Sequence, residues 1–156
     1  MTETYQPDDL DRRILAILQR DASRSVADLA KATNSSSATC WRRLRVLEDH
    51  GVIGPPVRLV NPDAVGRGMD AFCQIRLNTQ NTAARDSFQR AMDSIPAVVE
   101  IYSISGDWDY LLHLLVRDMA DLEGTLMKQI LEHETVAGSS TIFALRRLKR
   151  TTEVPL

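Results

Sequence analysis

The sequence predicts an α+β protein in two parts: three short helices, then strands and helices in the order βαββαβ. Three observations carry this. Apolar residues recur at helical spacing through the first fifty positions, and they alternate with a period of two from position 71 onward. A connector rich in turn formers, Asn61-Pro62 through Gly66-Arg67-Gly68, lies between the two patterns. The expected division is therefore 1–60, a linker at 61–68, and 69–156.

Bulk properties narrow the class. Of 156 residues, 44% are hydrophobic and 26% charged, as in an ordinary globular protein. No apolar stretch nears the ~20 residues of a membrane span, and the opening segment is acidic and polar, unlike a signal peptide. No membrane partner is expected. Cys40 and Cys73 stand in different segments without metal-ligand spacing. That favours neither a disulfide framework nor a metal site, and points to a reducing cytoplasm. The net charge of −2 gives no global sign of nucleic acid. Its distribution says more: residues 1–60 hold nine Lys/Arg against eight Asp/Glu, residues 61–156 ten against thirteen. Three of those arginines fall within Arg42–Arg45, and local charge governs phosphate contact.

The first helix is expected from about Pro7 to Arg20. Leu10, Ile14, Ile17 and Leu18 form its apolar stripe, and Asp8-Asp9 suits its positive end. Ser25 with Asp28 makes a capping box for a second helix, Val26–Thr33. Asn34 tolerates the left-handed backbone of a tight turn. Ser35-Ser36-Ser37 then caps a third helix running to His50 and closed by Gly51. Its inward residues are Cys40, Leu44 and Leu47; its outer face carries Thr39, Trp41, Arg42, Arg45 and, near the edge, Arg43.

Two short helices joined by a tight turn, the second polar at its start and arginine-rich outside, describe a helix-turn-helix. Such a helix enters the major groove of double-stranded DNA. Its first residues, Ser36, Ser37, Ala38 and Thr39, would lie nearest the bases, with Trp41, Arg42, Arg43 and Arg45 at bases or phosphates. An arginine stripe alone equally describes a solvated face, and Trp41 alone half-buried packing. The order and length of the three helices carry the DNA reading. Beyond Gly54-Pro55-Pro56, Val57–Val60 is extended and suits a small wing.

In the second part Ala71, Cys73, Ile75 and Leu77 alternate with Phe72, Gln74 and Arg76 as in a strand. Phe88, Ala91, Met92 and Ile95 follow at helical spacing, ended by Pro96. Val98–Ser105 and Tyr110–Val116 read as two further strands separated by the turn Gly106-Asp107-Trp108-Asp109. Tyr110–Val116, apolar at nearly every position, belongs at the centre of its sheet. Asp118 caps a last helix with Leu122, Leu126 and Ile130; Thr141, Phe143 and Leu145 mark the final strand. This order is ferredoxin-like. Two helices cover one face of such a sheet, so the other needs a partner, and a second copy of the chain is the simplest. A helix-turn-helix reading two half-sites needs a dimer as well.

LDRRILAILQRDASRSVADLA, TCWRRLRVLEDHGVI, the Asn-Pro before a glycine-containing linker, and SGDWDYLL followed by VRDM together resemble the Lrp/AsnC, or feast/famine, regulators from about Leu10 to Lys149. The resemblance implies a cytoplasmic regulator of amino-acid metabolism or transport genes, built of homodimers that assemble to octamers. It implies an amino-acid effector bound between dimers, beside the turn joining the second and third strands, here Gly106, Asp107, Trp108 and Asp109. Tyr102, Asp118, Ser139 and Thr141 match positions near the same pocket. Gly-Asp-x-Asp is equally a good hairpin turn without a ligand, and Asp118 equally a helix cap. The chain departs from the family pattern at Ser35 and Ser37, where relatives carry an apolar residue and often a proline.

Other classes are weaker. His50, His113 and His133 sit in unrelated segments; no nucleophile constellation or phosphate loop stands at usable spacing, so neither an enzyme nor a cofactor is expected. An architectural protein that wraps DNA without an effector remains an alternative, separated by whether an amino acid alters DNA binding.

Overall fold

Residues 5–156 are described in the computed structural model, and they divide into two units. The first runs through Arg58 and takes in Lys149–Leu156; the second is Leu59–Leu148.

The first unit holds three helices: α1 (Asp9–Leu18), α2 (Val26–Thr33) and α3 (Ser37–Asp49). α1 starts after the expected Pro7 because Asp8 is its cap, and it ends at Leu18, two residues before the expected Arg20. The Asp8 carboxylate accepts from the amides of Leu10 and Asp11, while Asp11 accepts from the Asp8 amide at 3.1 Å. Ser25 and Asp28 form the expected box on α2. Asn34 adopts the left-handed conformation, φ 54°, and the Ser35 amide donates to Ala30 O at 2.9 Å, closing the helix end. Ile14, Leu29, Ala30 and Cys40 form the core, with Leu44 packed against it and Leu47 fully buried as well. Each fully buried Ile or Leu here contributes on the order of 2 kcal/mol.

The expected wing does not form a ladder: residues 54–61 carry no strand. Pro55 and Pro56 bring no amide donors, and Val57, Leu59 and Val60 stay exposed. The last eight residues also differ from the expected division, which kept them with the second part. The Gln19 side chain donates to Val154 O at 3.2 Å and accepts from the Val154 amide at 2.5 Å. Arg20 pairs with Glu153 at 2.9 Å.

The second unit is built of β1 (Met69–Leu77), α4 (Thr82–Asp93), β2 (Val98–Ser103), β3 (Tyr110–Val116), α5 (Met119–Thr125) and β4 (Val136–Phe143). A π-helical turn, Leu126–Ile130, extends α5. The sheet order is β2-β3-β1-β4, every pair antiparallel, so the fold is ferredoxin-like. β3 is central, as the apolar run at Tyr110–Val116 implies, and β1 lies beside it. The final strand begins earlier than expected, at Val136, and stops at Phe143; Leu145 lies beyond it, exposed.

The pleat sorts side chains between two faces. Ala71, Cys73, Ile75 and Leu77 on β1, with Tyr110, Leu112, Leu114 and Val116 on β3, pack into one core with Phe88 and Met92 of α4 and Leu122 of α5. The residues between them in sequence form the face without helices. It carries Asp70, Phe72, Gln74 and Arg76 beside Leu111, His113 and Leu115, with Glu100, Tyr102 and Ile142 on the outer strands.

Candidate DNA-contact helix and effector turn

The start of α3 is held rigidly. Ser36 caps it, accepting from the Thr39 amide at 3.1 Å, and the two hydroxyls lie 2.9 Å apart. Ser36, Ser37, Ala38, Trp41, Arg42 and Arg45 are exposed, and Thr39 is half-buried. Trp41 is 60% exposed, too much for a packing role within its own unit. Arg42 forms no ion pair among the described residues, and Arg45 only a loose one with Glu48 at 3.6 Å on its own helix. These groups share the side of α3 opposite Cys40 and Leu47, as helical spacing requires. Ser35 is half-buried, so its hydroxyl is not sealed in the core.

Arg43 has a different position from its neighbours. Its guanidinium turns back onto the start of α1, 2.7 Å from Asp8 and 3.5 Å from Asp11. Asp11 is fully buried and also accepts from the Tyr5 hydroxyl at 2.7 Å. The Asp11 amide, followed by the Arg43 charge, holds the Asp8 carboxyl below the usual range. Arg43 thus fastens α3 to α1 through its two Nη atoms, while its Nε is buried without a partner among the described residues. Asp8 reads in sequence only as a helix-start acid and Asp11 carries no role there; the missing signal was tertiary, an acid of α1 beneath α3.

The β2–β3 turn is built around Asp109. Its two carboxylate oxygens accept from the Leu77 amide and the Gln80 side chain, both at 2.8 Å. Its own amide donates to Ile75 O at 2.9 Å, and its carbonyl accepts from Ile104 at 3.0 Å. Asp109 therefore ties the turn to the end of β1. Gly106 takes φ 109°, which side-chain-bearing residues rarely adopt. Arg76 projects from β1 to the same place. Its Nε donates to Asp107 O at 3.0 Å, and its guanidinium lies 4.8 Å over the Trp108 ring. Arg76 and Gln80 were absent from the sequence-derived candidates. The available signal was a positive charge at the turn end of a strand whose other charge, Asp70, lies at the opposite end.

The other expected effector residues do not converge on this turn within one chain. Tyr102 is near it, on β2, but its hydroxyl donates to Glu100 at 2.8 Å on the helix-free face. Ser139 and Thr141 are on β4, at the opposite edge of the sheet, paired with Ile75 and Cys73 and so on the helix-covered side. The Thr141 hydroxyl donates to Cys73 Sγ at 3.2 Å. Asp118 lies past the far end of β3, roughly 20 Å of strand from the turn, where it caps α5 by accepting from the Asp121 amide at 2.8 Å.

A polar cluster crosses the helix-free face. His113 presents Nε2 to Asp70 at 2.7 Å and Nδ1 to Glu100 at 3.3 Å, and stacks on Phe72. Arg147 also bonds Asp70. Burial pushes the Asp70 carboxyl up, but its bonds from Arg147 and His113 outweigh this and hold it below its ordinary value. His113 is thus a satisfied strand residue with no nucleophile beside it. Among the described residues no group of three potential metal ligands gathers, and no helix is long and apolar enough to cross a membrane.

Both parts of the chain match known protein families. Residues 70–154 match the Lrp/AsnC ligand binding domain, and residues 7–53 a winged helix-turn-helix DNA-binding domain. The glutamate uptake regulatory protein of Zymomonas mobilis is 37% identical over 96% of this chain and 90% of its own. The crystal structure of an AsnC family transcriptional regulator from Agrobacterium tumefaciens superposes with a TM-score of 0.90 at 38% identity, covering 95% of this chain and 96% of that one. A transcriptional regulator from Neisseria meningitidis, solved in complex with L-Met, gives 0.90 at 29% identity, covering 96% and 97%.

Proposed function

Because this chain belongs to the Lrp/AsnC family of transcription regulators, we propose that it binds specific double-stranded DNA through α3 and changes that binding when an amino acid occupies the β2–β3 turn. Residues 1–60 are the DNA-binding part and 69–156 the sensing and assembly part. The observation that carries the DNA reading is the exposed side of α3, where Trp41 and the unpaired Arg42 stand beyond a capped start at Ser36. Ser36, Ser37, Ala38 and Thr39 face the bases, while Trp41, Arg42 and Arg45 reach bases or phosphates. Arg43 supports that helix from behind.

The sensing role follows the family and the relative solved with L-Met. The turn at Gly106–Asp109, with Tyr102 beside it, is the anchor for the effector. Because Ser139, Thr141 and Asp118 lie elsewhere in one chain, they join such a site only from another copy. Assembly supports this. The helix-free face exposes Tyr102 and Ile142 beside Phe72, Leu111 and Leu115, and its burial against a second copy makes the homodimer, with octamers built from dimers. The regulated genes serve amino-acid metabolism or transport, and the protein acts in the cytoplasm, where its free cysteines stay reduced.

The test is fluorescence anisotropy of the purified protein on the DNA upstream of its own gene. A scrambled duplex serves as control, across the twenty amino acids. Preference for the upstream duplex, shifted by one amino acid, is the expected result. Preference without a shift removes the sensor. No preference at any salt concentration removes sequence-specific regulation and leaves an architectural DNA-wrapping protein.

A further inference from the structure

We propose that Arg76 makes the β2–β3 turn selective for an amino acid with a second carboxylate, an α-amino dicarboxylic acid. This rests on the reading of that turn as the effector anchor and adds the chemical class of the effector.

The inference begins from a cation held in place without an anion. Arg76 is fixed at three points: its backbone pairs with Gly138 beside a register shift in the β1–β4 ladder, its Nε bonds Asp107 O, and its plane lies over Trp108. An exposed arginine that only solvates a surface loses rotamer freedom for nothing in such an arrangement. Yet among the described residues Arg76 forms no ion pair, and neither Nη atom is engaged. Those two nitrogens form an unused edge of the fork, the geometry that accepts a carboxylate with two parallel bonds.

The surroundings leave room for a ligand. Gly138 stands opposite Arg76 on the neighbouring strand, and a side chain there would meet nothing within 4 Å. Space beside the guanidinium is therefore open on the β4 side. On the other side is the turn itself. The amides of Gly106, Asp107 and Trp108 donate to no protein acceptor among the described residues, and free backbone amides are donors that an anion can take up. The Asp107 carboxylate is likewise unbonded, whereas that of Asp109 is used up by Leu77 and Gln80.

Counting the unused groups gives the ligand's charge pattern. The amides suit one carboxylate, Asp107 suits an ammonium, and Arg76 suits a second carboxylate. A neutral amino acid leaves the Arg76 edge empty, and a basic one places like charges together. An α-amino dicarboxylic acid fills all three. The Trp108 ring beneath the guanidinium shields one side of this contact from water and strengthens it.

Isothermal titration calorimetry on the full-length protein tests this, with L-glutamate, L-aspartate, L-glutamine, L-asparagine and the remaining amino acids as probes. The wild type should bind one of the two acids at least tenfold more tightly than its amide. Arg76→Gln should weaken the acid at least tenfold while moving the amide less than twofold, and Arg76→Lys should restore part of the preference. A neutral or basic amino acid binding the wild type as tightly as either acid overturns the proposal and leaves the turn as effector anchor. An acid preference that survives Arg76→Gln overturns the role of Arg76. Binding of none of the twenty overturns the effector reading and the proposal together. The wild-type ratio of acid to amide stands even where a variant fails to fold, which circular dichroism reports.

Discussion

Arg43 turns back from α3 to within 2.7 Å of Asp8 and 3.5 Å of Asp11, two acids at the start of α1. One partner is fully buried, so truncating the arginine leaves a carboxylate inside without its counter-charge. That loss exceeds the net value of the pair, because the desolvation of Asp11 is no longer offset. Arg43→Ala should lower the stability of the first unit by on the order of 3 kcal/mol, read as an earlier thermal transition, and weaken DNA binding as a consequence.

Arg42 behaves oppositely. It is exposed and tied to nothing in its unit, so Arg42→Ala should leave the melting temperature unchanged. It should weaken specific DNA binding by roughly 1–3 kcal/mol if it reads a guanine. Anisotropy and thermal melting of the two variants side by side separate a contact residue from a supporting one. A stability loss in Arg42→Ala, or an unchanged DNA affinity, removes it from the interface.

Adjacent arginines with such different roles mark what the sequence carries and what it does not. The helices were legible because their start signals are local: Ser25 with Asp28 and Ser36 with Thr39 act within four residues. The central place of β3 followed from the nearly all-apolar run Tyr110–Val116, and β1 itself from the alternation at Ala71–Leu77. Helical spacing put Arg43 near the edge of the outer face, yet whether an edge residue faces out or back depends on what lies across the core, and Asp11 is 32 positions away. The expected effector residues lie apart within one chain for a related reason. Tyr102 and Thr141 belong to opposite edges and opposite faces of one sheet, a separation that residue spacing does not encode. The absent wing is the third case: Val57–Val60 has strand composition but, after two prolines, no ladder to join.

Asp109 should prove structural as well as site-forming. Asp109→Ala removes the acceptor of the Leu77 amide and the Gln80 amide group. The second unit should lose about 1–3 kcal/mol, and any response to an amino acid should disappear with the turn. Denaturant unfolding checks the first outcome; full stability in Asp109→Ala would contradict the bracing role.

Acid titration offers an independent check on the start of α5. Bonds from the Arg117 side chain, then from its amide, hold the Asp121 carboxyl down to about 2. A carboxyl depressed in the folded state favours folding above its unfolded value, near ~3.9. That contribution fades as pH falls from there toward 2. Side-chain NMR should find Asp121 ionised to about pH 2, with Arg117→Ala moving it upward. Its exposure keeps the effect on overall stability small.

Assembly through the helix-free face has a simple test in Ile142→Asp. Ile142 is exposed in the single chain, so the change does not disturb the core. Sedimentation velocity should find the wild type dimeric or larger and the variant shifted toward monomer. An unshifted variant would place the interface elsewhere.

The most direct measurement concerns the coupling between effector and DNA. Calorimetric titration of the effector into the free protein, and into the protein saturated with its upstream duplex, gives the factor by which DNA alters effector affinity. Linkage requires the same factor in reverse, when the effector alters DNA affinity. Two equal factors clearly different from one are the result expected of an effector-controlled regulator. An effector that binds equally well with and without DNA would contradict it, because a ligand with no preference between two states shifts neither.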